Sequence, residues 1–260
     1  MNQQIAKKTA GFTIIELTLA MVFVSVLLLT IALTIIRVAT IYNQGMTLKE
    51  VNQISRDIND ELRRAVAGAP VFDVSASADT ASYVTVKDNG GATMGGRLCL
   101  GSYSYIWNKG KALEDAKTNA NVNKYVAHYG VGTSAVAVRF AKVLDAGKKY
   151  CARTDGALTA VNIDTADVAV AKELLAAGDH AIAMQSFAIT TSPSADDPQN
   201  AQRLYSVTYA IGAGATSAMN TDQSACLPPS DLNSDIAYCT VQQFTITVRA
   251  GNKVVGNKVN

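Results

Sequence analysis

Hydrophobic residues run almost unbroken from Phe12 to Ile36, with a single charge, Glu16, near the start. At about 1.5 Å of rise per residue this run makes roughly 37 Å of helix, enough to cross a hydrocarbon core of about 30 Å. Lys7 and Lys8 precede it and only Arg37 stands at its far end. That asymmetry favours a cytoplasmic N-terminus, with the bulk of the chain outside. A secretory signal has a shorter apolar region and small residues at a cut on its far side. Here the far side reads Arg37-Val38-Ala39-Thr40-Ile41-Tyr42, which is no cleavage site, so any cut lies ahead of the run, at Gly11. A carboxylate inside hydrocarbon is costly unless something pairs with it, which makes Glu16 a functional candidate.

The next segment keeps a period of 3.6. No proline occurs between Thr40 and Ala67, and Leu48, Val51, Ile54, Ile58, Leu62, Ala65 and Val66 fall on one face, with most charges off that stripe. Asp60 and Arg64 are spaced for an i,i+4 surface pair. Gly68 and Pro70 end the pattern. The expected helix covers 12–67, with 12–36 spanning a membrane and 37–67 amphipathic, and Gly45 is the expected place for a bend.

Beyond Pro70 the pattern changes to period 2. Strands are expected at 82–87, 97–107, 135–144, 183–191, 203–212 and 241–250. Asn89-Gly90-Gly91 reads as a tight turn and Asn108-Lys109-Gly110 closes the second strand. Asp164 is placed to cap a short helix through Leu175 that Gly178 terminates, and 111–125 has room for a turn or two more. The segments 192–200 and 212–234 read as exposed loops. The expected fold class is α+β, a long N-terminal helix packed on an antiparallel β-sheet head domain spanning 68–260.

Charge adds little. The chain carries 23 basic and 21 acidic side chains, and removing residues 1–11, with Lys7 and Lys8, leaves 21 against 21. Such neutrality disfavours a strongly basic nucleic-acid surface. The mixture of Tyr103, Tyr105, Trp107, Lys109, Lys111, Lys117 and Lys124 nonetheless keeps nucleic acid as a weaker candidate partner.

Cys99, Cys151, Cys226 and Cys239 lie in the part expected outside, where disulfides persist. Three pairings are open. Cys226 with Cys239 is favoured, because it staples a proline-containing polar loop beside the last strand, and it leaves Cys99 with Cys151. Zinc is the competing use, but no C-x-x-C spacing exists and His128 and His180 are far apart, so no metal is expected. Asp222, Asp231 and Asp235 in the late loop are weak candidates to bind calcium through oxygen ligands, because they lack an EF-hand spacing. Neither histidine sits in a nucleophile motif and 89–96 is no phosphate loop, so neither an enzyme nor a cofactor is expected.

The opening residues resemble the type IV pilin family, also called class III signal peptide proteins: a basic leader, Gly11 before the cut, Phe12 as the new first residue, Glu16 fifth after it, then the apolar run. The resemblance covers about the first 35 residues. It implies a leader at 1–11, cleavage between Gly11 and Phe12 by a membrane prepilin peptidase, and N-methylation of Phe12. It further implies that Glu16 docks the subunit by pairing with the N-terminal ammonium of a neighbouring Phe12. The implied course is insertion in the inner membrane, delivery to an assembly platform there, and entry into an extracellular filament of pilin subunits. The Cys226–Cys239 loop also resembles the C-terminal disulfide loop of pilins, although here a strand and a tail follow it. Asp60-Glu61-Leu62-Arg63-Arg64-Ala65 is similar to a run in larger minor pilins and J-type pseudopilins. A minor pilin is the leading expectation, ahead of a major pilin, a type II secretion pseudopilin, and a membrane-anchored extracytoplasmic binding protein. Adhesion, motility and DNA uptake are the roles implied.

Overall fold

The structure is a computed structural model that describes residues 13–74, 81–132, 135–154, 157–175, 181–191 and 202–251. The chain divides into two compact units, Met1–Asn43 and Gln44–Asn260. Helix α1, Ile14–Gly68, supplies residues to both.

In the first unit every described side chain up to Ala39 is exposed. The polar residues of this stretch are satisfied inside the helix. Thr18, Ser25, Thr30, Thr34 and Thr40 each donate a hydroxyl proton to a carbonyl three or four residues back. Spending the hydroxyls on the helix's own backbone leaves an outer surface of leucine, isoleucine, valine and phenylalanine. This helix is long and apolar enough to cross a membrane.

The second unit is β-rich. Its strands are β1 Tyr83–Lys87, β2 Thr93–Cys99, β3 Tyr103–Asn108, β4 His128–Tyr129, β5 Val136–Ala137 and β6 Phe140–Leu144. They are followed by β7 Arg153–Thr154, β8 Ala157–Leu158, β9 Lys172–Glu173, β10 Ala183–Thr191, β11 Arg203–Ala213 and β12 Thr240–Ala250. Short helices α2 Gly110–Asp115, α3 Ala120–Asn123 and α4 Thr165–Val168 lie in the connections. A five-stranded antiparallel sheet runs β1-β2-β3-β6-β9, a three-stranded one β10-β11-β12, and β4-β5 and β7-β8 are two-stranded ribbons.

The core gathers Val51, Ile58, Leu62 and Val66 of α1 with Tyr105, Trp107 and Phe140 of the larger sheet and Phe187, Tyr205, Tyr209 and Ile246 of the smaller. The apolar stripe therefore faces the sheets. Ile54 and Ala65 are partly buried against the same cluster, while Leu48 stays 38% exposed. Aromatic hydroxyls pin the packing. Tyr209 donates to the Ser55 carbonyl at 3.0 Å and to Asn59 Oδ1 at 2.8 Å, and the Tyr205 hydroxyl bonds both the N–H and the carbonyl of Phe72. A Cβ at Gly96 would run into the Trp107 ring, so glycine there lets the indole lie flat on the strand.

Several expected elements come out differently. The strand expected at 97–107 is two strands, β2 and β3, with a reversal at Gly101, whose φ of +101° few side chains tolerate. The strand expected at 135–144 is broken at Val138 and Arg139, because the Glu173 carboxylate takes the N–H groups of Arg139 and Phe140. The helix after Asp164 closes at Val168 and gives way to β9. Asp164 does not cap it; its carboxylate goes to Lys149 at 2.7 Å. Gly178 and the loop 192–200 lie outside the described residues. Arg64 pairs with Glu61 at 3.6 Å, one residue nearer than the expected Asp60.

Candidate functional site

Gly11 and Phe12 lie outside the described residues; Thr13 and Glu16 lie within them. Thr13 Oγ1 accepts from the Glu16 N–H at 3.3 Å, and Glu16 Oε2 accepts from both the N–H and the hydroxyl of Thr13 at 2.9 Å. This is a reciprocal capping box, in which a Thr and a Glu three residues apart satisfy orphan donors of the helix start. Only Oε2 is used. Oε1 accepts no hydrogen bond among the described residues, which leaves one carboxylate oxygen open to another cation. A negative group in the first turn also suits the positive end of the helix dipole. Sequence reading singled out Glu16 for its charge and passed over Thr13, although the Thr-x-x-Glu spacing was the available signal.

The four cysteines form two disulfides, Cys99–Cys151 and Cys226–Cys239, with Cα separations of 6.2 and 5.9 Å. The first joins β2 to the 3₁₀ turn Lys149–Cys151, and the second ties the long polar loop to the residue before β12. No thiolate remains among them for zinc. His128 sits half-buried in β4 with its N–H on Asn162 Oδ1, and His180 lies outside the described residues. The described residues contain no group of three or more His, Cys, Asp or Glu side chains placed to hold a metal. Asp231 and Asp235 instead accept backbone N–H bonds from Asn233 and Tyr238.

The aromatic and basic residues kept as candidates for nucleic acid differ in exposure and pairing. Tyr105 and Trp107 are buried in the core, and only Tyr103 of the three is exposed. Lys111 and Lys117 are paired with Asp115 and Glu114, both at 2.7 Å.

Sequence reading missed two charged centres. In the first, Glu61 on α1 accepts from Lys142 Nζ and from the Tyr105 hydroxyl, each at 2.7 Å, and Lys142 also lies 4.0 Å from the Tyr103 ring centroid. Burial pushes the Glu61 carboxyl upward, but the Lys142 and Tyr105 hydrogen bonds with the facing positive charges outweigh it and hold the group below its ordinary value. The same desolvation and bonding push Tyr105 far up. A cavity of about 350 Å³ opens beside this cluster, with Tyr103 and Arg64 on its wall. In the second, Arg97 of β2 is fully buried with no carboxylate partner among the described residues; its guanidinium donates to the carbonyls of Gly96 and Val161 at 2.8 and 2.9 Å. Burial lowers it to about 10, partly offset by Tyr150.

Compared with protein-family models, with curated proteins and with solved structures, the chain finds no match in any of the three.

Proposed function

We propose that this chain is a structural subunit of a type IV pilus-like filament, a minor pilin by its size. In this reading it is made with a leader, cut after Gly11, methylated on Phe12 and polymerised through the apolar part of α1. One observation carries the reading. A helix exposes an apolar surface from Ile14 to Ile41, and the one acid of that stretch stands in the first turn, shortly after a basic leader that ends at Gly11 and is followed by Phe12. Such a surface is stable in only two settings, a bilayer or a bundle of similar helices.

The capping box gives the carboxylate a role in each. In the bilayer, Glu16 is held at the helix start by Thr13, close to the membrane edge. In the filament, the open Oε1 receives the ammonium of a neighbouring Phe12, and two charges that would each be costly in a dry core neutralise one another. The inner membrane holds the subunit with its N-terminus inside until the assembly platform takes it up. The two disulfides fit an oxidising exterior for the head.

Two substitutions test the proposal in cells. Gly11→Leu is expected to leave residues 1–11 attached, read by the mass of the N-terminal peptide. Glu16→Ala is expected to permit the cut while greatly reducing the subunit in sheared filaments. Unchanged cleavage in the first together with unchanged incorporation in the second would defeat the reading.

A further inference from the structure

A second cavity, of about 320 Å³, opens in the head between β1 and the β7-β8 ribbon. Its described wall carries Lys87, Lys124 and Arg153 and no acidic residue. Asp155, between β7 and β8, lies outside the described residues; one carboxylate from it would still leave the wall cationic. Lys87 and Lys124 are exposed, and neither makes an ion pair among the described residues. Lys124 instead lies 5.0 Å from the centroid of the Tyr125 ring, which is also on the wall. Apart from Thr85, the rest of the lining is apolar, including Val84 and Leu158.

Arg97 stands behind this wall. It faces Val84 across the β1-β2 ladder, so the two side chains share a side of the sheet, and one Nη is tied to the carbonyl of Val161, itself a wall residue. Its Nε has no hydrogen-bond partner and its charge meets no carboxylate among the described residues. A fully buried cation left uncompensated is expensive to fold, and an anion bound in front of it lowers that cost. Two unpaired lysines at the rim, an apolar and aromatic wall, and a buried guanidinium behind it make one coherent field. Clefts lined by one sign of charge concentrate ions of the other.

We infer that this cavity binds a small organic anion, a carboxylate or phosphate carried on a compact body of about one sugar unit. Lys87 and Lys124 take the anionic group, while the wall at Val84, Leu158 and Tyr125 packs the body. The volume lies at the lower end of the roughly 300–1,000 Å³ usual for small-molecule sites, which limits the occupant to one such unit. The acidic sugar at the end of a glycan and a free sugar phosphate share this chemistry.

The test is calorimetric titration of the full chain in zwitterionic micelles with glucuronate, glucose 6-phosphate, glucose and inorganic phosphate. Saturable binding of either anionic sugar, weakened by salt and absent for glucose, is the expected result, and which of the two binds more tightly separates the glycan from the metabolite. The double variant Lys87→Gln, Lys124→Gln alters exposed side chains only and is expected to weaken that binding at least tenfold. Arg97→Met is expected to weaken it too, and should that variant fail to fold, the lysine variant decides alone. The inference is overturned if neither anionic sugar binds saturably, if glucose binds equally well, if inorganic phosphate matches the sugars, or if the lysine variant binds unchanged.

Discussion

Glu61 of α1 bonds two side chains of the five-stranded sheet, Lys142 and Tyr105. Its acidity follows from those partners, and so does a pH dependence. The folded carboxyl titrates below its ordinary value of 4.5, so between that value and the folded one the unfolded chain binds more protons. The stability Glu61 contributes is present above about pH 4.5 and is lost as the pH falls through the folded value. Thermal unfolding of Glu61→Gln is therefore expected to show a shallower loss of stability between pH 5 and pH 3 than the parent chain. Equal acid slopes would mean that the bond to Lys142 contributes nothing net.

At the scale of elements, α1 is held to the sheets by a stripe whose members differ sharply in burial. Leu62 is fully buried and Leu48 is 38% exposed, although both belong to the same periodic face. Leu62→Ala is expected to cost about 2–5 kcal/mol, as large-to-small changes in a core do. Leu48→Ala is expected to cost no more than about 0.5 kcal/mol, as at an ordinary surface site. Denaturant midpoints of the two variants check the contrast. The stripe was legible because period 3.6 survives over several turns, and β10, β11 and β12 were legible because much of their length alternates, even though β10 shifts register between Met184 and Ser186 and β11 ends in a buried run. The split of β2 from β3 was hidden because the reversal uses one glycine, Gly101, inside a pattern that continues on both sides. The break before β6 was hidden for another reason: Glu173 lies 34 residues from the Arg139 N–H it accepts. Distance along the chain also concealed the charged centres, since Lys142 is 81 residues from Glu61 and Val161 is 64 from Arg97. The capping box at Thr13 and Glu16 was local and readable.

For the molecule as a whole, the two disulfides constrain different lengths of chain, with sequence separations of 52 and 13. On chain-entropy grounds the longer closure is worth roughly 4 kcal/mol and the shorter roughly 3 kcal/mol. Replacing Cys99 and Cys151 by serine is thus expected to lower the denaturation free energy more than replacing Cys226 and Cys239, as chemical unfolding of the two paired variants would measure. The closures are also consecutive along the chain and do not interleave. A polypeptide made from its N-terminus presents Cys99 and Cys151 to each other before Cys226 exists. The order of synthesis then does the work of a chaperone: each cysteine meets its native mate first, and oxidation needs no reshuffling to arrive at one covalent topology.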